Sequence, residues 1–525
     1  MSVNSQKPKI ERLDIVLLLL VIAFLYLLVF RLPCDPFHHG GDQLIFADNA
    51  ERMLNGEHIY RDFFQFTFPG TQLYYCVLIL IFGAHYWILG FSAILIGALS
   101  FWCCLRISKH LIAGSVAYLP AILYAFFGLR WFGLDASHRP FAPFFVMAAC
   151  LLLIKRTSLL NFALAGVFCA LASFFTQERG VAGVAGIGLF ILADNYFRGW
   201  RWKTVLRESF TVALAFAIAL SLMCLYFVWD AGVETFVWST LVYPTNYYKS
   251  FEYNDSGALL LSLKKSFAPG ARIGEFLPFL FYAFTIPSAI IAFFSLFFFR
   301  RKRHDWEFWR GPALLAIVGA MLVVTTNAHI LRYCIISVPS LVLFAWLLDY
   351  FVASVNLKRR LIAVVAFGLI VISVILAIRF QTKPDYYQLA TSRGKVYVLD
   401  NERNQKYRWL AEHTKLGDLV METPFPQIHF LLGLRPASRY SQFFPTEYTR
   451  PEFVAGAVAD LEKTKPRYIL WVNAYNKPEW LRARGDNLGP LSDYVISAYK
   501  PRGPIYPEMG EIGGESELQI WERIE

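Results

Sequence analysis

The stretch DIVLLLLVIAFLYLLVFRL, from Asp14 to Leu32, decides the class of fold, because it is an apolar run long enough to cross a bilayer as one helix. Similar runs recur along the chain as far as about residue 380. The 525 residues are 56% hydrophobic and only 17% charged, which is more apolar than a single soluble core requires. The sequence therefore predicts an α-helical polytopic membrane protein.

We predict about 11 membrane-spanning helices from these runs. They lie near residues 14–32, 86–105, 111–129, 140–154, 160–176, 181–197, 208–229, 276–299, 311–328, 333–352 and 361–379. Gln177-Glu178-Arg179 and several glycines interrupt the fifth and sixth runs, so two short or re-entrant helices are an alternative there. Arg31-Leu32-Pro33 does not match the small residues of a signal cleavage site, and the first span is predicted to be retained.

The distribution of basic residues predicts the orientation of the chain. Clusters of lysine and arginine fall in every second connection, as expected for cytoplasmic loops. With the amino terminus inside, an odd number of crossings places residues 381–525 on the outer face, beside long outer loops at 34–85 and 230–275. We therefore predict a transmembrane domain at 1–380, an extracytoplasmic domain at 381–525, and a place in a bacterial inner membrane.

The carboxy-terminal domain is predicted to be a small α/β domain. Its helix is expected at residues 402–414, and its strands at 419–422, 428–432, 468–472 and 518–521. The net charge of +11 is spread between the apolar runs and does not form one basic surface, which excludes a nucleic-acid partner. Most of the eight cysteines lie inside apolar runs, so a disulfide framework is not expected.

Ionisable side chains at membrane depth are costly, and their positions are therefore the best guide to function. In the predicted topology they concentrate at the outer ends of the spans. The set is His38, His39, Asp42, Arg61, Asp62, Asp135, His138, Arg139, Glu178, His329, Arg332 and Tyr333.

Four features of the chain together resemble the GT-C fold glycosyltransferases that use polyprenyl-phosphate sugars, including the protein mannosyltransferases and aminoarabinose transferases. They are an acidic residue in Gly41-Asp42-Gln43, the later segment Ile59-Tyr60-Arg61-Asp62-Phe63 leading into Phe68-Pro69-Gly70, a late span beginning His329-Ile330-Leu331-Arg332-Tyr333, and an outer domain after the last span. Many relatives have Asp-Glu at the first feature, and the aminoarabinose transferases have a lysine before Pro-Pro at the second. Because of these departures, the resemblance does not identify the donor sugar or the residues that contact its phosphate.

The resemblance implies an inverting transfer of a sugar from a polyprenyl-phosphate carrier to a glycan, lipid or protein acceptor. Phosphate leaves as a stable anion, so one carboxylate that accepts the proton of the acceptor hydroxyl is sufficient, and Asp42 is the predicted base. Arg332 is the predicted donor-phosphate ligand, because a guanidinium offers two parallel donors. Further contacts to the donor phosphate are predicted from His329, Tyr333 and Lys265.

The remaining candidates have two interpretations each. Asp135, His138 and Arg139 contact the acceptor or cap a helix, Glu178 contacts substrate or pairs with Arg179, and Arg61 and Asp62 take part in function or pair to shape their loop. His38, His39 and Asp42 could hold a divalent cation, although adjacent loop histidines are more often solvated.

Two other classes of function compete with transfer. A secondary transporter or lipid flippase also needs many spans, but such proteins place their site near the midplane between repeated halves, which this sequence lacks. A noncatalytic scaffold leaves the charges of the first outer loop unexplained. The donor sugar, the acceptor and the oligomeric state are not encoded in any recognisable motif.

Overall fold

The structure is a computed structural model. It describes residues 9–130, 134–154, 158–250, 273–300, 305–326, 330–352, 355–383, 385–477, 479, 487–504 and 518–524.

The described part of the chain is mainly helical. In chain order its main helices are α1 (Arg12–Val29), α2 (Asp42–Leu54), α3 (Gly70–Phe82), α4 (Trp87–Leu111), α5 (Gly114–Leu129), α6 (His138–Leu153), α7 (Leu159–Phe175), α8 (Gln177–Phe197), α9 (Trp202–Ala231), α10 (Ile273–Arg300), α11 (Trp306–Thr325), α12 (Ile330–Ile335), α13 (Val338–Phe351), α14 (Val355–Gln381), α15 (Asn401–His413), α16 (His429–Leu432), α17 (Pro451–Thr464) and α18 (Gly489–Ala498). Short helical segments follow α9 at Val233–Val237, Trp238–Val242 and Tyr243–Asn246.

The strands are short and lie mostly near the carboxy terminus. They are β1 (Phe30–Arg31), β2 (Asp35–Pro36), β3 (Tyr387–Thr391), β4 (Gly394–Val398), β5 (Leu419–Glu422), β6 (Arg435–Pro436), β7 (Tyr468–Val472), β8 (Tyr499–Arg502) and β9 (Leu518–Arg523).

Each of the predicted spans corresponds to helix in the structure. Among the described residues, seven helical segments are long and apolar enough to cross a membrane: α1, α4, α8, α9, α11, most of α10 and most of α14. Five further apolar helices are shorter, namely α3, α5, α6, α7 and α13. The polytopic α-helical class with an α/β carboxy-terminal region is therefore confirmed. Helix α3 is an apolar helix within the predicted first outer loop.

The chain divides into two compact units. Unit 1 comprises residues 1–28, 92–225 and 256–381, and unit 2 comprises residues 29–91, 226–255 and 382–525. Unit 2 therefore combines most of both predicted outer loops with the carboxy-terminal region.

Unit 1 is a bundle in which small residues allow close helix contact. A Cβ atom at Gly180 of α8 would lie 2.2 Å from the carbonyl oxygen of Cys169 in α7, and one at Gly166 of α7 would lie 2.4 Å from that of Val212 in α9. Such small residues are typical of closely packed membrane helices. Of the glycines that made the fifth and sixth spans uncertain, Gly180, Gly183 and Gly186 therefore allow close packing, and α7 and α8 are continuous helices.

Unit 2 is built around a five-stranded sheet with the order β6-β5-β7-β9-β8. Strand β5 is parallel to β6 and β7, whereas β9 is antiparallel to β7 and β8. One hydrophobic core joins this domain to the first loop, since it contains Leu44 and Ala50 of α2, Tyr75 of α3, and Val420 and Leu470 of the sheet. The loop and the domain therefore form one folded body.

Four of the five predicted elements of the carboxy-terminal region are confirmed, and the structure adds elements that were not predicted, namely β3, β4, β6, β8, α17 and α18. The predicted helix at 402–414 and the strands at 419–422, 468–472 and 518–521 match α15, β5, β7 and β9. The predicted strand at 428–432 is wrong, because His429–Leu432 is the helical turn α16, ended by Gly433 with a left-handed φ of 67°. A five-residue apolar run cannot by itself distinguish a strand from a buried helical turn. All eight cysteines are free, as expected.

Candidate active site

Asp42 is the first residue of α2 in unit 2. Its helix is capped by Gly41, whose φ of 141° is favourable for glycine and strained for other residues. The Asp42 side chain is half-buried. An acidic group at this position is stabilised by the positive end of the helix dipole, and it remains partly accessible. Asp42 therefore presents a partly accessible carboxyl group at the amino end of α2.

The residues preceding Asp42 are fixed by the carboxy-terminal domain. The backbone N–H of His38 donates to the carbonyl oxygen of Tyr397 in β4 at 2.8 Å. The His38 ring is buried, with Nδ1 2.7 Å from the hydroxyl oxygen of Tyr86 and Nε2 3.5 Å from that of Tyr407. Burial lowers the pKa of His38 well below its usual range, so the ring is neutral at physiological pH.

The metal-site hypothesis for His38, His39 and Asp42 does not agree with this geometry. Among the described residues, no group of three or more histidine, cysteine, aspartate or glutamate side chains could hold a metal ion. The His38 nitrogens face tyrosine hydroxyls instead, and the adjacent histidines do not act as a pair of ligands. His38, His39 and Asp42 are therefore not assigned to a cation site.

Arg61 and Asp62 form the ion pair that was one of their two interpretations. Nε of Arg61 lies 3.0 Å from Oδ1 of Asp62, and this hydrogen bond lowers the pKa of Asp62. Asp230, at the end of α9, lies 2.7 Å from Nδ1 of His58 and 3.4 Å from Nη1 of Arg61. This network connects the first loop to the beginning of the second, and the sequence gave no local signal for the contribution of Asp230.

Helices α2 and α3 also bury polar side chains that sequence reasoning did not identify. Side-chain atoms of Asp48, Asn49, Thr71 and Gln72 have no hydrogen-bond partner among the described residues, and these residues are at most 2% exposed. Burial raises the pKa of Asp48 from 3.8 to about 8. Asp48 is therefore a buried carboxyl group of α2 with a raised pKa, six residues after Asp42.

Several predicted residues of unit 1 lie on elements that pack together. Helix α12, which carries the half-buried Arg332, packs against α6, which begins at His138. Just before α6, Oδ2 of Asp135 lies 3.7 Å from Nη1 of Arg139. The structure thus brings part of the predicted phosphate site and part of the predicted acceptor site to one end of α6.

Arg179, which with Glu178 was expected either to form an internal ion pair or to contact substrate, makes a backbone contact. It is 2% exposed, and its Nη1 donates to the carbonyl oxygen of Arg139 at 2.6 Å. Glu178 is exposed. Arg179 therefore joins Arg139 and Arg332 in a positively charged region, and its contact with Arg139 was not predicted from the sequence.

The other predicted phosphate ligands are Tyr333, His329 and Lys265. Tyr333 is buried in α12 beside Arg332. His329 and Lys265 lie outside the described residues. The sequence-based model of one shared site also predicts that Asp42 and Arg332 line a single outer-facing cavity. Asp42 belongs to unit 2 and Arg332 to unit 1, and this stays a prediction.

Comparison with solved structures identifies the fold. The chain is similar to ArnT from Cupriavidus metallidurans bound to undecaprenyl phosphate, with a TM-score of 0.57 and 11% identity over 97% of both chains. It is also similar to the Archaeoglobus fulgidus oligosaccharyltransferase in complex with zinc and sulfate, with a TM-score of 0.51 and 13% identity over 92% of this chain and 71% of that one. No protein-family model matches the sequence, and a search of curated proteins finds no match. At these identities the likeness concerns the fold, and the chain has the fold of the GT-C membrane glycosyltransferases.

Proposed function

We propose that this protein is an integral membrane glycosyltransferase that moves a monosaccharide from a polyprenyl-phosphate carrier to a glycan, lipid or protein acceptor. The observation that carries the proposal is the position of Asp42, half-buried at the amino end of α2 in a chain with the GT-C fold. The ArnT structure with undecaprenyl phosphate supports the class of donor.

In this proposal Asp42 is the general base of an inverting transfer. The acceptor hydroxyl gives its proton to the Asp42 carboxylate while its oxygen attacks the anomeric carbon of the sugar. The bond between that carbon and the phosphate oxygen breaks, and its electron pair leaves with the polyprenyl phosphate. Because this leaving group is stable as an anion, no second carboxyl group is needed to protonate it.

The leaving phosphate is proposed to bind Arg332, with Tyr333, His329 and Lys265 as further ligands. The packing of α12 against α6 supports a site for an anion in unit 1, because α6 carries Arg139, and Arg179 of α8 donates to the carbonyl oxygen of Arg139. Preorganised positive charge stabilises the charge that develops on a departing phosphate. Asp135, His138 and Glu178 are assigned to the acceptor or to support of the arginines, and Arg61 with Asp62 to shaping the first loop.

The proposed location is a bacterial inner membrane, with a cytoplasmic amino terminus and the carboxy-terminal domain on the outer face. The composition of unit 2 supports this arrangement. Residues 34–85 and 230–255 of the two predicted outer loops share that compact unit with the carboxy-terminal region, as expected if all three lie on one side of the membrane. The positive-inside distribution of basic residues agrees with this side being the outer one.

Transfer can be separated from transport in one reconstituted assay. Purified protein in proteoliposomes is given synthetic short-chain polyprenyl-phosphate sugars, labelled in the sugar, together with acceptors from membrane extracts. Glycosyl transfer predicts label on an acceptor and release of polyprenyl phosphate in equal amount. Movement of the intact labelled lipid across the bilayer without transfer would identify a flippase instead, and no transfer across a broad donor panel would contradict the proposal.

A further inference from the structure

Gln427, in the segment between β5 and α16, contacts the backbone of Gly41 with both ends of its side-chain amide. Its Oε1 accepts a hydrogen bond from the Gly41 N–H at 3.0 Å, and its Nε2 donates to the Gly41 carbonyl oxygen at 3.4 Å. The two residues are 386 positions apart in the chain. Gly41 directly precedes Asp42. The Gln427 amide therefore holds the two peptide groups on either side of Gly41, and the second of these begins α2.

The backbone of Gln427 is itself held by a buried carboxylate. Oε2 of Glu422, at the end of β5, accepts from the N–H groups of Gln427 at 2.7 Å and Ile428 at 3.0 Å. Nδ1 of His429 lies 3.6 Å from the same oxygen, and its Nε2 is 2.9 Å from the carbonyl oxygen of Val420. Glu422 and His429 are at most 3% exposed. The amide of Gln427 is therefore presented from a rigid support on the sheet.

Two glycines make this approach possible. A Cβ atom at Gly40 would lie 2.7 Å from Oε1 of Gln427, which is closer than real Cβ contacts. Gly41 has a φ of 141°, which side-chain-bearing residues rarely adopt. The Gly41 carbonyl oxygen also accepts from the N–H of Leu44 in the first turn of α2 at 3.2 Å. Gln427 and the first turn of the helix thus share one acceptor.

We propose that Gln427 is a positioning residue, which fixes the orientation of the Asp42 carboxylate by holding the Gly41 peptide. The proposal rests on the proposed function of Asp42 as base. It gives the carboxy-terminal domain a direct part in the reaction, because that domain supplies Gln427 and the Glu422 support behind it. Displacement of a reacting group by about 1 Å can cost about 100-fold in rate.

The test compares steady-state transfer by wild type, Gln427→Ala and the control Gln388→Ala, which changes an exposed glutamine in β3 of the same domain. We expect Gln427→Ala to lower kcat by about tenfold or more while the KM for the donor changes less than about threefold. Gln388→Ala should retain the wild-type rate. A wild-type kcat in Gln427→Ala would overturn the proposal.

Two double variants distinguish positioning from a general loss of structure. In the Asp42→Asn background, Gln427→Ala should cause no further loss, because the group that it positions is already absent. Gly40→Ala should impair transfer through its clash with Gln427, and Gly40→Ala with Gln427→Ala should be no worse than Gln427→Ala alone. Full additivity in both pairs would refute the positioning role.

Hydrogen–deuterium exchange separates failure of this inference from failure of the proposed function. Gln427→Ala should speed exchange of the Gly41 and Leu44 amides and leave the amides of β7 unchanged. If Asp42→Asn is inactive but Gln427→Ala transfers normally, the positioning role alone is wrong. If Asp42→Asn transfers at the wild-type rate, the base assignment fails and the positioning role fails with it.

Discussion

Two regions of unit 1 use arginine in opposite ways. In the first, Oδ1 of Asp194 accepts from Nε1 of Trp306 at 2.7 Å and from Nε of Arg310 at 3.1 Å, and Nη1 of Arg310 also donates to the carbonyl oxygens of Leu153 and Ile154 at 3.0 and 2.7 Å. Arg310 is 3% exposed. Its charge is matched within the protein, as expected of a structural residue.

The second region brings Arg139, Arg179 and Arg332 together near the beginning of α6. Oδ2 of Asp135 lies 3.7 Å from Nη1 of Arg139, and Nη1 of Arg179 donates to the carbonyl oxygen of Arg139. A bound phosphate would add negative charge beside these arginines, which is the role proposed for this region. The two regions thus differ in one described contact, since Arg310 pairs with a buried carboxylate and Arg179 donates to a backbone carbonyl oxygen.

Arg310→Ala is expected to have the largest effect, because it takes from the buried Asp194 one of its two arginine partners and leaves only Arg198, whose Nε lies 3.2 Å from the same oxygen, among the described ion pairs. Removing one member of a buried ion pair typically costs about 3–5 kcal/mol, and the remaining pair with Arg198 places this variant near the lower end of that range. Thermal unfolding in detergent should show a clear decrease in midpoint for this variant, and exposed Arg300→Ala serves as the control. An unchanged midpoint in Arg310→Ala would contradict a structural role for Arg310.

Asp48 extends the comparison to a buried carboxyl group, whose Oδ2 has no hydrogen-bond partner among the described residues. Its pKa is raised from 3.8 to about 8 in the folded protein, so between these values the folded state binds a proton that the unfolded state has lost. Stability from this group therefore falls as the pH rises from about 4 to about 8. Asp48→Asn should remove this pH-dependent loss of stability, because asparagine does not ionise.

The measurement for Asp48 is the difference in unfolding free energy between Asp48→Asn and wild type at pH 5 and pH 8. Three pH units at about 1.4 kcal/mol each set an upper bound of about 4 kcal/mol on the extra stabilisation at pH 8. Asp385→Asn, at an exposed position, should show no such pH dependence. An equal effect of Asp48→Asn at both pH values would contradict the raised pKa.

Arg332→Ala should weaken binding of undecaprenyl phosphate by about 100-fold, because a charge-assisted hydrogen-bonded pair is worth about 1.5–3 kcal/mol. Arg332→Lys keeps the charge but loses the two parallel donors, so about a tenfold loss is expected. Both proteins should unfold within a few degrees of wild type, unlike Arg310→Ala. Equal affinity in all three proteins would exclude Arg332 as a phosphate ligand.

Asp135→Asn is expected to have the smallest effect. Its partially exposed pair with Arg139 is worth at most about 1 kcal/mol, and releasing Arg139 should tighten binding of the lipid phosphate by up to about fivefold. Isothermal calorimetry in detergent can detect this change. Weaker binding would mean that Asp135 organises the arginines instead of competing for them, and an unchanged affinity with a lower kcat would assign Asp135 to the acceptor.

Much of the fold could be predicted from the sequence, because membrane helices depend on local composition. Apolar runs of the right length identified the helices, and clusters of glycine, which suggested breaks in α7 and α8, instead allow them to pack closely. The residues 428–432 were misassigned because a short apolar run has no decisive periodicity. Local sequence signals were sufficient to predict the membrane helices and insufficient to assign the helical turn at 428–432.

The candidate site was only partly predictable, because its organisation depends on distant contacts. Asp42 and Arg332 could be proposed from their places beside apolar runs. Gln427 could not, since nothing local connects it to Gly41 across 386 positions. The same is true of Asp194 and Arg310, which are 116 positions apart. Such pairs are determined by the packing of the folded chain.

The most direct test of the proposed mechanism is the rate of sugar transfer by Asp42→Asn under single-turnover conditions. The donor concentration is kept above its dissociation constant, and Asp385→Asn is the matched control. The change keeps the shape of the side chain and removes the base, so we expect a loss of at least about 100-fold in the rate of transfer. Donor affinity and unfolding temperature should remain at their wild-type values. A wild-type rate in Asp42→Asn would contradict the account at its centre.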